Sequence, residues 1–165
     1  MDYPNRLRRL KTHDYAENGA YFITICSDYK RHLFGKIETP VVRGLAPAVT
    51  LTAYGEIIWD EIKKIPQKYP SISVDIFIVM PNHVHLLLSV ANEKAGASPR
   101  TTVTSVIGAL KSKSTIKCRK AGLETKLWQP GFYDHVIRTR EDYEAAWNYI
   151  DGNPQKWLDG KGEDY

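Results

Sequence analysis

Residues 73–90 read SVDIFIVMPNHVHLLLSV. The run 73–80 is rich in β-branched and aromatic side chains, and 83–90 is an apolar run of the same length, so each is strand-like. Pro81-Asn82 between them is a two-residue break suited to a tight turn. The segment predicts an antiparallel hairpin. In its second strand Val84, Leu86 and Leu88 fall on one face and His83 and His85 on the other, because successive side chains alternate sides.

Outward from the hairpin, residues 51–68 read as a helix, with Leu51, Ile57, Ile58, Ile62 and Ile65 near one face. Residues 101–120 read as a second helix with Val103, Val106, Ile107 and Leu110 as its buried stripe. The β-rich stretches 21–27 (YFITICS) and 132–138 (FYDHVIR) supply two more strands. Residues 140–150 form a third helix with Tyr143, Ala146, Trp147 and Ile150 as its core stripe, ended by Asn153-Pro154. Residues 32–37 are a short extended piece, and 38–50, with Pro40, Gly44 and Pro47, a loop. The order strand, helix, strand, strand, helix, strand is the ferredoxin-like arrangement, an α+β fold with one antiparallel sheet and two helices on one face. The third helix is left to cover part of the other face. The chain reads as a single domain over 1–165, with a basic arm at 1–18 and a frayed polar tail at 159–165.

The chemistry-bearing residues follow from this layout. His83 and His85 project from one face of a strand with Cβ atoms roughly 7 Å apart, close enough to share a divalent ion; a satisfied structural pair is the plainer alternative. Tyr149 lies at the edge of the third helix's stripe with Asn153 four residues on. Spacing alone fits a boundary tyrosine and a helix-terminal Asn as well as a nucleophile and ligand. Basic residues collect in the N-terminal arm (Arg6, Arg8, Arg9), along the second helix (Lys111, Lys113, Lys120) and beside the third (Arg138, Arg140). Each is either a solvated charge or a DNA phosphate contact. Trp128 and Tyr133 are base-stacking or core aromatics, His135 reads as structural, and Asp75 is a candidate orienter of a histidine across the hairpin.

The segments MPNHVHLLL, IGALKSKST, LWQPGFYDHVIR and NYIDGNP resemble the single-tyrosine transposases of the HUH nuclease superfamily, the IS200-like family, and within it the REP-associated branch. The resemblance spans residues 20–157 and preserves motif order. It implies a catalytic Tyr149, a metal site of His83, His85 and Asn153 for Mg²⁺ or Mn²⁺, and a 5′-phosphotyrosine intermediate. The implied partner is single-stranded DNA with a hairpin, as in repetitive palindromic elements. The implied assembly is a monomer or a homodimer.

Composition agrees with this class. The formal charge of +4 favours polyanionic partners. No stretch approaches the roughly 18–20 apolar residues of a membrane span, and no apolar run follows the basic N-terminus as in a signal peptide. Cys26 and Cys118 are too few for a disulfide framework, which suits a cytoplasmic, nucleoid-associated protein. Two other readings fit the same fold: a nucleic-acid-binding module without catalysis, and a hydrolase using a metal-bound water, which has no need of Tyr149.

Overall fold

The computed structural model describes residues 14, 17–40, 45–92 and 101–160. Four strands build the main sheet: β1 (Gly19–Cys26), β4 (Ile72–Val79), β5 (His83–Val90) and β6 (Tyr133–Ile137). Their order is β4-β5-β1-β6 and every neighbouring pair is antiparallel. Helices α1 (Ala53–Lys63) and α3 (Val103–Lys120) connect them in the ferredoxin-like order. The expected hairpin is β4 and β5, joined through Pro81-Asn82 as predicted.

Strand alternation sorts the core into two layers. Tyr21, Ile23 and Ile25 of β1 and Val84, Leu86 and Leu88 of β5 meet Ile58 and Ile62 of α1 and Val103, Val106, Ile107 and Leu110 of α3. On the other face Phe22 and Leu87 meet Ala146 and Ile150 of α4 (Arg140–Asp151). Both faces of the two central strands are therefore covered, and β5 is buried at seven of its eight residues.

Several boundaries differ from the sequence reading. The helix expected over 51–68 starts at Ala53, capped by the Thr52 side chain, and breaks at Lys64 into α1 and a single turn, α2 (Ile65–Lys68), whose second residue is Pro66. Part of the expected 38–50 loop is strand. β3 (Ala48–Leu51) pairs with β2 (Gly35–Glu38) in a separate two-stranded sheet. The third helix does stop before Asn153, but a further short helix, α5 (Asn153–Leu158), follows at once. Trp147 is 39% exposed and not part of the core stripe, which consists of Ala146 and Ile150 with Tyr143 and Tyr149 packed at its margin.

The entry into α1 depends on one close approach. A Cβ on Gly55 would stand 1.9 Å from the Phe34 carbonyl oxygen, which also accepts the Thr52 amide at 2.9 Å. Gly55→Ala is expected to destabilise the fold by about 3 kcal/mol, a fall in Tm of roughly 6–12 °C. Gly108→Ala, with open space around the helix residue, is expected to stabilise by up to about 1 kcal/mol. Thermal melts of the two variants check the opposite signs.

Candidate active site

The α4 face of the sheet carries the chemistry. His83 and His85 open β5, 3% and 0% exposed, with ring centroids 4.5 Å apart. Phe22 of β1 stacks on His85 at 5.2 Å. Tyr149 of α4 meets His85 edge-on at 5.4 Å and Phe22 at 5.8 Å. Trp157 of α5 lies 6.0 Å from His83 and 5.3 Å from His32. Asn153, the first residue of α5, is fully buried. One chain thus brings the predicted His83, His85, Tyr149 and Asn153 to one place.

The two imidazoles are held by their Nδ1 atoms. His83 Nδ1 lies 2.6 Å from Asn82 Oδ1, and the Asn82 amide nitrogen donates to the Lys30 carbonyl at 3.4 Å. Asn82 Oδ1 is therefore the acceptor, His83 Nδ1 carries the proton, and the Nε2 lone pair is presented to the site. His85 Nδ1 lies 2.8 Å from the Thr24 hydroxyl, its register partner on β1. Such outer partners fix the tautomer and aim of a ligating histidine.

Burial keeps both rings neutral. It pushes His83 down to about 3; the neighbouring Asn153 opposes the shift in part and the Lys30 charge adds to it. His85 is also held well below the ordinary imidazole value, first by burial and then by the charges of His83 and Lys156. At neutral pH each presents an uncharged ring, the form that binds metals.

A divalent ion fits these residues. The Nε2 atoms of both histidines are buried, and so are both polar atoms of the Asn153 carboxamide, which among the described residues has no hydrogen-bond partner of good geometry even though it lies close enough to His83 to favour its protonated form. A buried, unsatisfied carboxamide is costly unless something outside the chain completes it. Among the described residues no group of three His, Cys, Asp or Glu forms; the further buried polar group beside His83 is the Asn153 carboxamide, whose oxygen is a donor a hard cation accepts. Thr24→Val and Asn82→Ala are each expected to lower Mn²⁺ affinity by about tenfold to a hundredfold with the fold intact. Titration calorimetry beside a thermal melt measures both.

The other expected residues lie elsewhere. Asp75 is not a histidine orienter. It sits at a bulge in β4 between Val74 and Ile76, where it accepts from Ser73, Ser89 and Tyr143. Ser89 is four residues along β5 from His85, about 13 Å away. Lys111 is committed to the Gln129 and Gly131 carbonyls at 2.6 and 2.7 Å, so it secures the approach to β6 and does not extend to solvent. Lys113 and Lys120 are exposed on α3, across the sheet from the histidines. Arg138 and Arg140 are exposed beyond Ile137, which pairs with Ala20 at the opposite end of β1 from the Cys26–His83 pair. Trp128 is buried and donates to Ser114. His135 pairs with Asp142 at 2.8 Å. Arg6, Arg8 and Arg9 lie outside the described residues.

The sequence reading missed Thr24, Asn82, Lys156 and Trp157. Thr24 is the one hydroxyl inside the apolar stretch Phe22–Cys26 and Asn82 directly precedes His83, so both left a trace. Lys156 and Trp157 follow the proline read as ending the third helix, and left none.

The model of the family described as "Transposase IS200 like" matches residues 54–153, more than half of the chain. A REP-associated tyrosine transposase of Escherichia coli is 28% identical over 106 residues, covering 64% of this chain and 58% of that protein. An uncharacterised protein of Haemophilus influenzae is 29% identical over 164 residues, 90% of this chain and 87% of the other. In three dimensions the fold is similar to a REP-associated tyrosine transposase solved bound to a REP hairpin, with a TM-score of 0.60 and 22% identity over 91% of this chain and 74% of that one.

Proposed function

The chain belongs to the IS200-like transposase family, and from that premise we propose that it is a metal-dependent nuclease and strand transferase that cuts single-stranded DNA with Tyr149. The observation that carries the proposal is the convergence of His83, His85, Asn153 and Tyr149 on one face of the sheet, inside one chain. A binding module has no use for two buried neutral imidazoles with fixed tautomers beside a tyrosine.

His83 Nε2, His85 Nε2 and the Asn153 carboxamide would hold the ion. The mixed nitrogen and oxygen set suits Mn²⁺ better than Mg²⁺. Its chemistry is polarisation of a phosphate oxygen as charge builds there. The Tyr149 oxygen attacks phosphorus, the tyrosine O–P bond forms and the P–O3′ bond breaks. The tyrosine loses its proton and the departing 3′ oxygen gains one. The 5′-phosphotyrosine link conserves the phosphodiester bond, so a second strand's 3′-hydroxyl can reverse the step and complete strand transfer. Because the site is complete within a single chain, we propose that a monomer can cut in cis.

The substrate proposed is an unpaired segment beside a hairpin, in keeping with the hairpin-bound relative of similar fold. Lys113, Lys120, Arg138 and Arg140, away from the scissile centre, together with Arg6, Arg8 and Arg9, are proposed to hold phosphates and not to take part in the cut.

The test is incubation with single-stranded oligonucleotides from both strands flanking the gene, with Mn²⁺ or Mg²⁺. A protein–DNA adduct that survives boiling in detergent is the expected product. Cleavage that proceeds without any adduct would instead point to a metal-bound water as nucleophile.

A further inference from the structure

Two lysines among the described residues are half-buried, Lys111 and Lys156. Lys111 is satisfied by two carbonyls. Lys156, one turn into α5, has no carboxylate or carbonyl hydrogen-bonded to its ammonium among the described residues; the ammonium rests on the face of the Tyr149 ring, 4.0 Å from the centroid. A cation–π contact of this kind replaces only part of the hydration that burial takes from an ammonium. Burial accordingly pushes Lys156 below the ordinary lysine range, and its charge reaches His85.

The position is unfavourable for a cation unless an anion joins it. Lys156 stands beside the nucleophile and near the two imidazoles that would hold a divalent ion, so two positive groups would face each other across the site. Only a negative group between them makes that arrangement favourable, and the phosphodiester is the group the reaction brings. We infer that Lys156 is a phosphate-binding residue that receives the scissile phosphate of single-stranded DNA beside Tyr149. Before DNA arrives, the Tyr149 ring occupies the ammonium and keeps both side chains in place. The inference rests on the tyrosine-nuclease reading for the identity of that phosphate, and α5 thereby supplies both Asn153 and the cation.

The experiment has two readouts. First, in a Tyr149→Phe background without metal, the affinity for a fluorescent single-stranded hairpin oligonucleotide is measured across a salt series. Lys156→Met is expected to reduce the slope of log K against log salt by about 0.7, one single-strand phosphate contact, and Lys156→Arg to leave it unchanged. Second, with Tyr149 present and metal added, Lys156→Met is expected to slow adduct formation at saturating DNA about a hundredfold, while Lys156→Arg retains most of the rate. Thermal melts confirm that both variants fold. An unchanged salt slope in Lys156→Met overturns the inference. A reduced slope in a protein whose wild type forms no adduct supports the phosphate contact and instead removes Tyr149 as nucleophile.

Discussion

Tyr149→Phe is expected to abolish the covalent adduct, a loss on the order of a thousandfold or more in single-turnover cleavage, while DNA binding and folding persist. The substitution removes one oxygen and leaves the ring. The ring keeps its edge-on contacts with His85 and Phe22 and its face stays available to Lys156. Ala146 and Ile150, which anchor α4 to the sheet, are untouched. A loss of activity therefore cannot be attributed to a displaced helix, and a melt within about 0.5 kcal/mol of wild type, the usual range for an innocuous change, will establish it. Detergent gels of radiolabelled DNA separate the possibilities. An adduct that persists in Tyr149→Phe moves the nucleophile to another residue. Tyr143 is the poorer candidate, since it donates to Asp75 and burial pushes its hydroxyl up to about 12.

Most of the fold was legible because its elements are locally consistent. The run around Pro81-Asn82 fixes a hairpin by composition, and alternation in HVHLLLSV places both histidines opposite Val84, Leu86 and Leu88, as the two core layers confirm. What was hidden depends on tertiary contacts. β3 is four residues long and acquires its identity only by pairing with β2. Trp147 has the spacing of a core residue, but helical spacing does not say how wide a stripe the sheet covers, and here the cover ends at Ala146 and Ile150. Asp75 was misplaced because the hairpin register was not counted out from the turn: Ile78 stands opposite His85, and Asp75 lies three residues further along β4. Asn153 reads as a helix end, but α4 stops before it, at Asp151, and Asn153 instead opens α5, since proline is tolerated in a first turn. The chain turns at Gly152 and, by turning, buries Asn153 against His83 and brings Lys156 over Tyr149. Counting four residues on from Tyr149 along one continuous helix placed Asn153 by a geometry the chain does not have, and could not reach Lys156 at all.

His85→Ala is expected to remove metal binding and, with it, about a hundredfold to a thousandfold of the cleavage rate, the several kcal/mol that metal polarisation of a phosphate contributes. The more direct readout is stability. A metal that binds only the folded chain should stabilise wild type by about 3 kcal/mol at a hundredfold excess over its Kd, and His85→Ala or His83→Ala should show no such gain. Metal-free protein supplies the complementary test. His83 is held down to about 3 in the fold, against 6.5 for the ordinary imidazole, so below about pH 6.5 the unfolded chain takes up a proton that the folded chain refuses until near pH 3. Stability is then complete above pH 6.5 and declines as the pH falls through that window. His85, shifted in the same direction by the same burial, steepens the decline. Replacing either ring by one that cannot be protonated, as in His83→Phe or His85→Phe, should flatten the acid limb of the melting curve even if the substitution lowers Tm throughout. A wild-type Tm that is level from pH 7 to pH 4 would mean that both imidazoles are protonated in the fold as readily as in the unfolded chain. The neutral, tautomer-fixed pair on which the metal assignment depends would then be absent.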